Sequence, residues 1–269
     1  MVTVVLPRLL AMRDSGRRAA AVTERNITSL RSAYWVVVLS GLLEPLLYLF
    51  SIGVGVGALV GDLTLADGRV IDYASFVAPA MLAASAMTGA LSETTFNFFG
   101  KMKWMKLYDG MLATPVRPFE IALGELGWAM VRGNLYAAAF LLVMVLMDLV
   151  SPGRAVAAFP ATVLVGFTFG ALGMAVSTFM RSWQDFDMLT AAQFTLFLFS
   201  GTFVPAQSYP AVLRWLVEVT PLYRAVDLIR GICTGVVGWL QVLDVAYLLG
   251  LLAIGLVVAG RRMSRLLCP

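Results

Sequence analysis

Glu44, Glu93 and Arg132 each lie inside a long apolar run. An ionised side chain at such a place is costly unless it faces protein or water. Two carboxylates held face to face could share a proton and do acid–base work, whereas a carboxylate beside a guanidinium forms an ion pair. Glu93 and Arg132 fall toward the same end of neighbouring runs, which predicts that they pair; the alternative is that each reaches separately to the interface. Glu44 is deeper in its run and either touches a polar group of a substrate or fixes a seam between two copies. The chain has no histidine, which removes Ser–His triads, His metal clusters and imidazole relays. Its two cysteines, Cys233 and Cys268, form no CxxC pair, and no Gly-x-x-x-x-Gly-Lys-Ser/Thr stretch is present to cradle ATP. An intramembrane enzyme therefore has no recognisable site here.

The elements that position these charges are long and oily. Of 269 residues, 60% are hydrophobic and only 13% charged, with mean hydropathy +0.85. That places the chain among integral membrane proteins, and no polar stretch is long enough for a second, soluble domain. The net charge of +4 sits beside the apolar runs, so it reads as membrane orientation rather than nucleic-acid binding. The basic stretch up to Arg31 lacks a short apolar core with a cleavage site, so no signal peptide is expected.

Six spans are expected, over residues 34–59, 73–99, 123–149, 155–180, 188–204 and 242–259. They lie in one transmembrane domain, with residues 1–33 as an interfacial N-terminus, 34–260 as the spanning region and 261–269 as a tail. Residues 19–34 can form an amphipathic helix with Val22, Ile27 and Leu30 on its apolar side. Gly53, Gly57 and Gly61 recur at four-residue spacing, which suits either close helix packing or a loosened helix end. With the N-terminus inside, the inner segments carry six, four, one and three Lys or Arg and the outer ones one, one and three. That bias favours both termini in the cytosol of a cell-membrane protein.

Two connecting stretches depart from plain loops. Residues 100–118 are basic, with Trp104, Leu107, Met111 and Leu112 as an apolar stripe between Gly100 and Pro115. After residue 204, Pro205, Pro210 and Pro221 break the chain into two short pieces. The first, 209–219, has Leu213, Trp215, Leu216 and Val219 on its oily face; the second, 222–232, has Arg224, Asp227 and Arg230 along one side. Asp227 is expected to pair with Arg224 or Arg230. Phe194, Phe197 and Phe199 in the fifth run either face lipid or a second copy, or touch an amphipathic substrate.

The order Phe-x-Ser-Gly-x-Phe-x-Pro, then a Pro, a Trp, Thr-Pro-Leu and Arg-Ala-Val-Asp-Leu-Ile-Arg resembles the C-terminal half of ABC-2 type permeases, the membrane subunits of ABC exporters, and among them the drug-resistance and nodulation-factor exporters. The resemblance covers nearly the whole chain. It implies an all-α membrane fold with a cytosolic coupling helix between spans 2 and 3 and short re-entrant outer helices between spans 5 and 6. It implies that Lys103, Trp104, Lys106, Leu107, Tyr108, Asp109, Met111 and Leu112 meet a separate ATP-hydrolysing subunit, and that Pro205, Pro210, Pro221, Arg224, Asp227 and Arg230 belong to an outer gate. It further implies two ATPase subunits carrying the ATP and magnesium, with no cofactor on this chain. A second copy or a paralogue would complete the pore, and the exported substrate would be amphipathic, a drug, a lipid or a lipid-linked saccharide. Its rivals are an intramembrane lipid-modifying enzyme and a channel or scaffold without ATP coupling.

Overall fold

The computed structural model describes residues 16–26, 28, 43, 46–64, 68 and 70–267. Helix α1 covers residues 16–26, and α2 covers 46–60, with wide π-type turns at Ser51–Val56 before Gly57–Val60. Gly61 ends α2 with φ +68°, a left-handed conformation open to glycine. Among the described residues a methyl group at Gly57 would meet the Ile52 carbonyl, and one at Gly61 would meet nothing within 4 Å. Glu44 and most of the first expected span lie outside the described residues.

A small hairpin follows: β1 (Asp62–Thr64) pairs antiparallel with β2 (Val70–Asp72), Leu63 opposite Ile71. The Asp72 side chain then accepts from the Ala74 amide at 3.1 Å and caps α3, which runs without interruption over Tyr73–Trp104. Its last third is wound in wide turns at Glu93–Asn97 and Gly100–Trp104. Thr94 and Thr95 donate to the Ala90 and Leu91 carbonyls at 2.8 and 2.6 Å, and such back-bonding loosens a helical ladder.

Lys106 turns the chain through φ +46° into α4 (Leu107–Leu112). Next come α5 (Pro118–Leu146) and α6 (Pro152–Ser177), each with proline in its first turn, where a missing N–H costs nothing. Then α7 (Asp185–Leu198), α8 (Ala211–Val219), α9 (Pro221–Thr234) and α10 (Trp239–Leu267) complete the chain. Helix α3 is the most enclosed of the long helices, packed on α6, α9 and α5; α10 lies on α6 and is the least covered.

Among the described residues four helices are long and apolar enough to cross a membrane: Tyr73–Trp104, Pro118–Leu146, Pro152–Ser177 and Trp239–Leu266. The fifth expected span is shorter than its sequence indicates. Its helix stops at Leu198, well before Pro205, because the chain turns at Gly201 (φ +67°) and the Ser200 and Thr202 hydroxyls bond to each other at 2.6 Å. Fourteen residues give about 21 Å of helix, against a hydrocarbon layer of about 30 Å.

Candidate functional site

Four features of the bundle are built to do something: a basic end, an ion pair inside it, a cavity between helices, and a proline-broken layer at the opposite end.

At the basic end α1 lies across the start of α5. The Thr23 hydroxyl donates to the Gly124 carbonyl at 2.9 Å, and Val22 is buried against Gly124. Ile27 and Leu30, placed with Val22 on the apolar side, lie outside the described residues. Arg18 donates to the Pro115 carbonyl at 2.9 Å and lies 3.5 Å from Glu120, whose carboxylate also accepts from the Arg117 amide at 2.9 Å. Lys101, near the end of α3, reaches Glu125 of α5 at 2.6 Å and Asn26 of α1 at 3.4 Å.

Tyr108 of α4 is fully buried, its ring tilted on Phe98 at 5.3 Å and its phenol against Glu125. Burial, and then the Glu125 charge, push that phenol well above its ordinary pKa, so it stays a neutral hydroxyl. Tyr108 therefore anchors α4 from inside rather than presenting itself to a partner. Leu107, Met111 and Leu112 are half-buried against the core. The surface left outward is Lys103, Trp104, Lys106 and Asp109, with Met105 between them. The turn at Lys106 also puts Trp104 on the end of α3, so the expected stripe is divided between two elements.

An aromatic cluster joins this surface to the turn before α7. Trp183 meets Trp104 edge-on at 4.8 Å and Phe99 at 5.8 Å, while Phe186 stacks on Phe96 at 4.4 Å. Trp183, Glu120, Glu125 and the role of Lys101 did not stand out in the sequence. The signal was present in part: Glu125 sits inside an apolar run just as Glu93 does.

Within the bundle Arg132 of α5 forms an ion pair with Glu93 of α3 and donates to the Tyr136 hydroxyl at 3.1 Å. The pairing settles the alternative left open by sequence: these two groups neutralise each other instead of reaching separately outward.

Toward the middle of α3, a cavity of about 170 Å³ opens between Tyr48 of α2, Met81, Ser85 and Thr88 of α3, Phe140 of α5, and Gln193, Phe194 and Phe197 of α7. Phe194, itself largely exposed, and Phe197 thus border this space, and Phe199 lies outside it.

At the opposite end the three prolines mark the breaks. Pro205 precedes a single turn at Ala206–Ser208, Pro210 precedes α8 and Pro221 opens α9 behind a Thr220 cap. The charged residues pair differently from expectation. Arg224 reaches across to Asp244 of α10 at 3.1 Å, and Arg230 donates to the carbonyls of Phe76 at 3.1 Å and Gly201 at 2.8 Å while stacking over the Phe76 ring. Among the described residues neither guanidinium pairs with Asp227. Local spacing along α9 could not reveal this, because both true partners are distant in sequence. On α8 the exposed stripe is Val212, Trp215, Leu216 and Val219; Leu213 turns inward beside the buried Val217.

The family model described as ABC-2 type transporter matches residues 18–233. The chain is 34% identical over 241 residues to nodulation protein J of Rhizobium leguminosarum bv. trifolii, covering 88% of each. It is 31% identical over 211 residues to nodulation protein J of Rhizobium leguminosarum bv. viciae, covering 78% of this chain and 80% of the relative. The nodulation protein J of Rhizobium meliloti (strain 1021) is 30% identical over 226 residues, covering 84% of each.

Proposed function

The chain belongs to the ABC-2 type transporter family, and on that premise we propose that it is the permease subunit of an ATP-driven exporter for an amphipathic substrate. It is a multi-pass membrane component, not the ATP-hydrolysing one. In this reading the basic end faces the cytosol, both termini are inside, and the first expected run together with α7 and the turns that follow it completes six spans. Two copies, or one copy and a paralogue, form the path, and two ATPase subunits bind below.

One observation carries the reading. Helix α4 is fastened to the bundle on its inner side by Tyr108, while Lys103, Trp104, Met105, Lys106 and Asp109 remain bare on the outer side. A buried anchor beneath an exposed, basic and aromatic surface is suited to receiving a push. That push has a direct route. The surface continues into α3, which carries Lys101 at its base and Ser85 and Thr88 at the cavity, about 20 Å further along. The wide turns at Glu93–Asn97 lie between the two and are where α3 can change its pitch.

Glu93 is engaged by Arg132 and so is not free to act as half of an acid pair, which weighs against an intramembrane enzyme. The test is reconstitution. A photoreactive residue at Lys106 should crosslink to a co-expressed ATPase of the ABC type, and vesicles holding both proteins should move an amphiphile only with ATP. Transport by the chain alone, or labelling of Lys106 from outside the cell, would overturn the proposal.

A further inference from the structure

We propose that the cavity between α2, α3, α5 and α7 recognises an uncharged amphiphile, with Ser85, Thr88 and Gln193 reading its hydrogen-bonding head and Met81, Phe140 and Phe197 enclosing an apolar segment. A cavity of about 150 Å³ holds a group the size of benzene. The 170 Å³ here therefore takes about six carbons of chain or ring.

The polar groups identify the site. Six threonines of the helices close on their own backbone: Thr94, Thr95, Thr162, Thr168, Thr190 and Thr195 each donate to a carbonyl one turn back, at 2.6–3.0 Å. Ser85 and Thr88 make no such bond, and the Gln193 amide has no hydrogen-bond partner among the described residues. Gln193 alone offers two donors and an acceptor. Ser85 and Gln193, half-buried, and Thr88, exposed, thus bring three polar side chains to the edge of an apolar space, where a ligand's head can complete their hydrogen bonds.

The class of head follows from what is missing. Every lining residue among those described is neutral, and Glu93 and Arg132, further along α3 and α5, pair with each other. A cation here would lose its hydration with no carboxylate among the described lining residues to replace it, whereas an amide, ester or hydroxyl would exchange water for Ser85, Thr88 and Gln193. Tyr136, held by Arg132, lines an adjoining space of about 20 Å³ that shares Ser85 and Phe140, so the ion pair also shapes one wall.

This inference rests on reading the chain as a permease for an amphiphile, but its test needs neither ATP nor an ATPase. The full chain in lipid nanodiscs is exposed to two photoreactive octyl probes of matched length, one ending in a primary amide and one in trimethylammonium. The amide probe is expected to bind more tightly and to crosslink within residues 81–88 and 193–197. Gln193→Leu should weaken it about five- to tenfold, the worth of one or two hydrogen bonds, and Gln193→Glu should turn the preference toward the ammonium probe. Equal binding of the two probes overturns the assignment, as does tighter ammonium binding that Glu44→Gln abolishes, or amide binding unchanged in both Gln193→Leu and Thr88→Val. If the probe binds as expected yet vesicles with an ATPase export nothing, the cavity assignment stands and the exporter reading fails.

Discussion

Lys101 Nζ lies 2.6 Å from Glu125 Oε2, and the Glu125 side chain is only 5% exposed. This contact joins the end of α3 to α5, while Asn26 of α1 and Tyr108 of α4 close on the same pair. Four elements therefore share one charged knot directly behind the outward surface of α4. Removing one partner strands a buried charge, which costs about 3–5 kcal/mol; removing both can cost far less. Lys101→Met is therefore expected to lower the melting temperature of the purified chain more than Lys101→Met with Glu125→Gln. Additive losses would show that the two side chains do not act as a pair.

The Glu93–Arg132 pair obeys the same logic at greater depth. A single unpaired charge within a spanning helix costs about 2.5–3.5 kcal/mol on insertion scales. Arg132→Met is expected to reduce the amount of folded protein in the membrane, and Glu93→Gln in the same chain to restore most of it. Exchanging the two residues, Glu93→Arg with Arg132→Glu, should fold better than either single change. The measurement is the fraction of membrane-inserted chain that elutes as a discrete species after extraction.

What the sequence showed and what it hid divide along range. Apolar runs placed the four long helices, though the last continues to Leu266, well past the expected end at 259, and the charges Glu93 and Arg132 identified each other because lipid leaves few other partners. Prolines 205, 210 and 221 marked the outer breaks because a ring without an N–H ends a helix wherever it stands. The early end of α7 was hidden, since Ser200, Gly201 and Thr202 are compatible with a spanning helix until Arg230, far along the chain, takes the Gly201 carbonyl. Arg224 misled for a related reason. Three-residue spacing offered Asp227, but Asp244 on a packed neighbouring helix won the contact. The inward turn of Tyr108 likewise depends on Glu125 and Phe98 behind it, not on anything within residues 107–112.

Gly124 tests whether α1 is docked or merely nearby. A methyl group there would come within 2.5 Å of Val22 Cβ and 2.7 Å of the Ala19 carbonyl, and a backbone atom cannot step aside as a side-chain tip can. Gly124→Ala is therefore expected to lift α1 away while leaving the long helices intact. Hydrogen exchange should show residues 16–26 losing protection and residues 118–146 keeping most of theirs. Unchanged protection over 16–26 would mean that α1 does not pack on α5 in the membrane.

Arg230 ties the outer layer to the bundle, and its replacement gives the clearest separation of gate from scaffold. Its guanidinium donates to Phe76 of α3 and to Gly201 in the turn after α7, and stacks on the Phe76 ring at 3.8 Å. These contacts need a planar fork that reaches two carbonyls at once, which an ammonium cannot copy. Arg230→Lys keeps the positive charge, so global folding should change little. The turn at Gly201 should instead become mobile, since one of two fixed bonds is lost at about 1–2 kcal/mol, roughly a five- to thirtyfold rise in opening. In vesicles the expected result is uncoupled leakage of a small solute that the unaltered chain retains, with no change in ATP hydrolysis by the partner. If Arg230→Lys stays as tight as the native chain, the layer of α8 and α9 is a rigid cap rather than a gate.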